Sequence, residues 1–263
     1  MSAFRKYLTV LRISLQNAFA YRSNVLGGLV FYAIFMFVFF SLWRAIYQSG
    51  EVAGYSLVQL VWYLSMTELI MFGCRTGIYS QMNEDVKSGS IAYQLNRPYH
   101  YVLYQFFNAL GGMIFNLIIY GLMGILLAMI MVGPIPGFNF LTLPLSLISV
   151  MLGIFINFFF LMTLGLTAFR LEDNTAFYLI YQKLVFMLGM FIPVEFLPAW
   201  LQTITRYLPF SYVTWAPARL IVSFSWELFW SAIPAQLLWL GISVVLAIGM
   251  YQHGIAGIQA HGG

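Results

Sequence analysis

The chain is 263 residues long, 62% hydrophobic and only 8% charged, with 12 basic against 8 acidic side chains. Soluble domains carry about 25% charged residues, so no water-solvated core explains this composition, and part of the solvent around the chain is lipid. The net charge of +4 does not point to nucleic acid, because the basic residues are spread thinly and no basic patch with interleaved aromatics exists. Cys74 is the single cysteine; it excludes an internal disulfide and lacks metal-ligand spacing.

Residues 3–22 form the first element. Arg5, Thr9, Arg12 and Gln16 recur every three or four positions and make a polar stripe opposite Phe4, Tyr7, Leu8, Leu11, Leu15 and Phe19. That pattern predicts an amphipathic helix in the membrane interface, with Arg5, Lys6, Arg12 and Arg22 toward anionic headgroups. The N-terminus lacks the charged–apolar–small pattern of a cleaved signal and is expected to stay in the mature protein.

Six apolar runs follow, at about 25–46, 57–80, 103–132, 144–169, 175–194 and 227–250. A hydrocarbon core of ~30 Å takes ~20 helical residues to cross. Lipid offers the backbone no hydrogen-bond partners, and the period-two alternation of a membrane barrel is absent. The expectation is therefore an all-α membrane protein with six spans in a single domain.

With six spans, both termini fall on one side. That side receives Arg5, Lys6, Arg12, Arg22, Arg75, Lys87, Arg97, Arg170 and Lys183, while Arg44, Arg206 and Arg219 fall on the other. Nine against three predicts cytoplasmic termini by the positive-inside rule. Residues 82–101, "MNEDVKSGSIAYQLNRPYHY", then become a cytoplasmic loop between two greasy spans. Its start can form a short helix or helix end, with Asn83 as cap, Glu84 and Asp85 in the first turn and Gly89 as breaker. "NRP" stops any helix before the membrane is re-entered. On the outer side, 133–143 is an uncharged Pro/Gly turn, whereas 193–226 is long, apolar and cut by Pro193, Pro198, Pro209 and Pro217. Short interfacial or re-entrant helices are expected there, buried against protein where they dip.

Enzyme motifs are missing. None of the three lysines lies in a Gly-x-x-x-x-Gly-Lys loop, the three histidines have no ligand spacing, and no Gly-x-Ser-x-Gly elbow exists. Charges inside lipid are costly and mark function by default. Glu68 sits mid-span, and Lys183 lies about eight residues into its span; either faces a cavity, pairs with the other, or, for Lys183 above all, snorkels to the interface. Asn116 and Asn157 also lie at membrane depth, where hydrogen bonds between helices are the expected use. The charged stretch 82–101 suits docking to a soluble partner, with an ordinary solvated loop as the alternative.

The order of these features resembles the permease subunits of type 2 ABC transporters, and in detail their viologen-exporter-like branch. The residues that carry the resemblance are "AYRSNVLGGLVF" (20–31), "LWRAIYQSG" (42–50), "GYSLVQLVWYL" (54–64), "EDVKSGSIAYQLNRPYHY" (84–101) and "LPFSYVTWAPARLI" (208–221). The resemblance implies that the turn between spans 2 and 3 couples to an ATPase subunit, with Glu84, Asp85, Lys87, Ser88, Gly89, Arg97 and Pro98 making or shaping the contact. It implies a second permease chain, identical or related, and two ATPase chains that hold ATP and Mg, so that this chain carries no cofactor or metal. It further implies export across the inner (cytoplasmic) membrane. The sequence departs from drug- and polysaccharide-exporting members in lacking long soluble loops, which excludes an extracellular domain. Rival readings are a secondary transporter, for which Glu68 and Lys183 are too few ionisable groups and no inverted repeat shows, a lipid-modifying enzyme, and a non-transporting scaffold.

Overall fold

The computed structural model describes residues 3–20, 25–49, 54–95, 97 and 99–261. Arg22 and Pro98 lie outside the described residues. Among the described residues every regular element is helical. Five helices are long and apolar enough to cross a membrane, and the segment expected as span 5 is a shorter apolar helix, Thr175–Phe191.

α1 (Ala3–Ala20) and α2 (Leu26–Ser49) are separate helices. α1 packs on α6 (Tyr101–Val132) through Tyr7 stacked on Phe107 at 5.4 Å and Phe19 edge-on to Phe115 at 4.8 Å. Between these contacts the Ser14 hydroxyl donates to the Asn108 carbonyl. At Gly111 a Cβ would lie 2.5 Å from the Leu15 nitrogen, so only glycine permits this approach. The predicted apolar face of α1 is only partly covered: Tyr7, Leu11 and Leu15 are half-buried, while Phe4 and Phe19, although their rings reach α6, and Leu8 remain exposed.

α3 (Leu57–Gly73) opens on a capping box in which Ser56 accepts from the Gln59 N–H and Gln59 accepts from the Ser56 N–H. The span that includes it is the most buried: 72% of its apolar window lies inside the protein, against 17–50% for the other four, which makes it the centre of the bundle. The sequence reading runs this span unbroken to residue 80. Instead α3 ends at Gly73, the chain turns through Cys74–Gly77, and α4 (Ile78–Lys87) begins after Gly77 at φ +66°. That left-handed conformation is open to glycine and strained for other residues.

α4 also corrects the expected loop. Asn83 lies inside the helix and caps nothing, and Glu84 and Asp85 fall in its last turn rather than its first. Ile78, Tyr79 and Met82 form a buried face, and a helix that buries such a face overrides the weaker preference of acids for the first turn. Gly89 ends the element at φ +73°, as expected of a breaker. A five-residue helix, α5 (Ile91–Leu95), follows.

α7 (Leu143–Leu166) starts with Pro144 in its first turn. α8 (Thr175–Val185) continues into a π-helical turn at Phe186–Phe191. The segment after Pro193 holds α9 (Ala199–Thr205), α10 (Pro209–Val213) and α11 (Trp215–Val222) before the long α12 (Trp226–His261).

α10 is re-entrant in the sense expected. Its end lies against Gly153 of α7, where an added Cβ would meet the Val213 carbonyl at 2.5 Å. Gly153 is ten residues from the start of α7, so the end of α10 packs about 15 Å along that helix. The irregular backbone there is buried in protein and supplied with partners. The Gln236 amide of α12 donates to the Tyr212 carbonyl at 2.9 Å and the Ser149 carbonyl at 3.0 Å, and it accepts from the Ser149 hydroxyl at 2.9 Å. This is the condition under which non-helical backbone is tolerated at membrane depth. On α9, Thr205 is buried while Trp200 and Ile204 are exposed, the inversion expected where lipid is the solvent.

The contacts sort the helix ends into two groups. Tyr101 stacks on Tyr251, Tyr79 donates to Asn174, and Gly254 abuts Phe169, which gathers α4, the start of α6, the end of α7 and the last turns of α12 at one end. Trp62 donates to the Gly133 carbonyl and Ser146 to the Leu220 carbonyl at the opposite end.

Candidate functional site

Two places carry chemistry: a cleft inside the bundle and a polar knob at the end that holds α4.

The cleft has a volume of about 550 Å³ and lies between α2, α3, α4, α7 and α8. Phe31, Phe35, Phe72 and Phe186 contribute aromatic walls. Glu68 lines it and is fully buried, and neither carboxylate oxygen has a hydrogen-bond partner. A buried polar group without a partner is costly, and no described residue supplies one to Glu68. Lys183 and Arg75 border the same cleft, yet neither forms an ion pair with it; the Glu195–Arg219 pair lies elsewhere. Glu68 and Lys183 thus share a cavity without pairing.

The two asparagines differ. Asn157 is buried on the cleft wall and accepts from the Tyr181 hydroxyl at 2.9 Å, joining α7 to α8. Asn116 borders a second cavity, of about 580 Å³ between α2 and α6, and donates to the Arg75 carbonyl at 3.5 Å.

The knob comprises α4, α5 and the turn to α6. Glu84, Lys87, Ser88, Gly89 and Arg97 are exposed there. So is Tyr93, at 79%, an apolar tip that the sequence reading passed over. Asp85 behaves differently. Its carboxylate accepts from the Tyr101 hydroxyl at 2.6 Å and the Ser90 hydroxyl at 3.1 Å, so it points back into the protein. Tyr101 in turn stacks on Tyr251 of α12 at 5.6 Å. On the far side Arg97 donates to the Tyr99 hydroxyl, which donates to Gln94. Beneath the knob, Tyr79 donates to Asn174, and Asn174 donates to the Leu164 carbonyl and the Thr167 hydroxyl. Tyr79 also stacks on Tyr178 at 4.0 Å. The knob is therefore tethered to α6, α7 and α8, and through Tyr101 to α12. On α1, Arg5 and Arg12 are exposed, and Lys6 lies on the same helix.

A third cluster escaped the sequence reading. Glu195 pairs with Arg219 at 3.2 Å and accepts from the Tyr55 hydroxyl at 3.1 Å and the Trp215 indole at 3.0 Å. The Arg219 guanidinium lies 4.5 Å from the Tyr55 ring centroid. Burial, reinforced by the Glu195 charge, pushes the Tyr55 phenol well above its ordinary range, which keeps its proton available to the carboxylate. The cluster clasps the α2–α3 connection to α11. The signal was present: Glu195 is the lone acid in the otherwise apolar 193–226 segment, and so isolated an acid is expected to find a base.

These charges serve as structural pairs, tethers and one orphan. No group of three or more His, Cys, Asp or Glu side chains that could hold a metal occurs among the described residues. A sequence-family profile described as ABC-2 family transporter protein matches residues 8–262. A search of curated proteins gave no match.

Proposed function

The chain belongs to the ABC-2 family of transporter proteins, and we propose that within it the protein is the permease subunit of an ATP-driven exporter. The observation that carries this reading is the knob: a polar, exposed surface on a short helix pair, tethered to four helices of a chain in this family. A solvated loop has no need of such fixation. A surface that receives force from a soluble motor does, because a slack lever transmits no displacement.

In this reading two ATPase chains bind ATP and Mg and meet the knobs of two permease chains, identical or related. Closure of the ATPase pair moves the knob, and α6 and α12 move with it. The cleft holding Glu68 is then the part of the path this chain contributes. The end bearing the knob carries Arg5, Lys6, Arg12, Arg75, Lys87, Arg97, Arg170 and Lys183, which supports placing it, with both termini, in the cytoplasm of an inner-membrane protein.

The test is purification of the tagged chain from its native membrane in mild detergent, followed by identification of co-purifying chains by mass. An ATPase bearing a P-loop, present in equal amount and lost from a Glu84→Lys/Lys87→Glu variant, is expected. A homogeneous preparation without any ATPase, still transporting in vesicles, would replace this reading with a secondary transporter.

A further inference from the structure

A third cavity, of about 220 Å³, lies between α1, α4 and α6 beside the α3–α4 turn. Its polar lining is Ser14, Arg75, Thr76, Gln81, Gln105 and Asn108, with no acidic side chain among the lining residues. Gln105 is 1% exposed, and its amide oxygen has no hydrogen-bond partner. The Tyr101 hydroxyl oxygen is within reach of the Gln105 amide N–H and can accept from it, but its own proton goes to Asp85, so the amide oxygen is left without a donor. The Thr76 hydroxyl is a further buried atom without a partner. Each such orphan costs about 1–3 kcal/mol when left empty-handed, and the two that line this cavity, the Gln105 carbonyl and the Thr76 hydroxyl, call for an occupant.

Water alone fits the volume, which at ~30 Å³ each has room for about seven molecules. Arg75, at the exposed rim, adds a positive charge to this space. Its guanidinium lies over the Phe72 ring, 5.7 Å from the centroid, and makes no ion pair. It also borders the two larger cavities, so three cavities meet at one cation. A site with one cation, no acid and a buried amide offering both donor and acceptor matches a phosphate anion attached to a donor group. α1, which forms one wall, is the helix whose basic stripe predicts a place among headgroups.

We propose that this cavity binds an anionic phosphate whose molecule also carries a hydroxyl, either on a lipid headgroup or on the phosphate itself. Arg75 and the Gln105 N–H donate to the phosphate oxygens, and the Gln105 carbonyl accepts from that hydroxyl. The chemistry is shared by an anionic phospholipid of the glycerol type and by soluble phosphate, and the experiment separates them.

The full-length protein in micelles is titrated with phosphatidylglycerol, phosphatidylcholine or inorganic phosphate and read by native mass spectrometry and by thermal melting. Wild type is expected to retain phosphatidylglycerol over phosphatidylcholine by about tenfold, because the choline cation is repelled by Arg75 and has no hydroxyl for the Gln105 carbonyl to accept, and to melt higher in its presence. Arg75→Gln and Gln105→Leu are expected to lose both the preference and the melting response, with Arg75→Lys retaining part of each. Because Arg75 is exposed, Arg75→Gln decides the matter even if Gln105→Leu folds poorly. Retention of inorganic phosphate by wild type and its loss in Arg75→Gln supports the site with a soluble source. Equal retention by wild type and Arg75→Gln, or no retention of either phosphate form by wild type, means that the cavity holds only water, and the proposal falls.

Discussion

Glu84 and Asp85 are neighbours of the same charge, and the structure assigns them opposite jobs. Replacing Glu84 by Ala removes an exposed side chain, and such changes shift stability by no more than about 0.5 kcal/mol. Replacing Asp85 by Ala removes the acceptor of the 2.6 Å bond from Tyr101 and of the 3.1 Å bond from Ser90. A hydrogen bond to a charged group contributes about 1.5–3 kcal/mol, so with partial exposure discounted the knob loses about 2 kcal/mol of local stability. That corresponds to roughly 30-fold more frequent opening. Hydrogen–deuterium exchange of the peptide spanning 84–95, with the protein in nanodiscs, reads this directly. Asp85→Ala is expected to exchange roughly 30-fold faster there, Glu84→Ala close to wild type, and Tyr101→Phe like Asp85→Ala. Equal exchange in Asp85→Ala and Glu84→Ala would refute the tether.

Glu68→Gln is expected to melt at or above the wild-type temperature, since the carboxylate it replaces has no partner to lose, while ATP-driven transport falls; normal transport, or a clear loss of thermal stability, would remove Glu68 from the path. Gly153→Ala sets a Cβ 2.5 Å from the Val213 carbonyl and should destabilise by about 1–3 kcal/mol, seen as a lower melting temperature; an unchanged melt would mean the re-entrant turn is not packed on α7. In a Cys74→Ser background, Leu141→Cys is expected to react with an impermeant maleimide added outside intact cells and Gly89→Cys only after lysis; the reverse pattern would invert the proposed orientation.

Much of the fold was legible because lipid imposes few solutions. Apolar length placed the long helices, and four prolines placed the re-entrant segment. The break at Gly77 was not legible, since "FGCRTGIY" is apolar enough to pass for continuous helix and only the backbone reveals the left-handed turn. The roles within 84–97 were less legible still. Sequence marks the charges but not their direction, and Asp85 turns inward because Tyr101, sixteen residues on, begins the next helix within reach. Glu68 stood out correctly as a deep charge, yet its failure to pair with Lys183 depends on how α3 and α8 face one cleft. Gln105 gave no signal at all, because a glutamine in an apolar run reads as an interhelical hydrogen bond until its surroundings prove to lack a partner.

The central claim is that the knob is the contact through which an ATPase drives this chain. A benzophenone amino acid in place of Tyr93, the exposed aromatic at the knob's tip, tests it in the native membrane. Irradiation is expected to give one adduct with a P-loop ATPase subunit, whose yield changes with added nucleotide. Adducts with lipid alone, formed by a variant that still transports, would contradict the account.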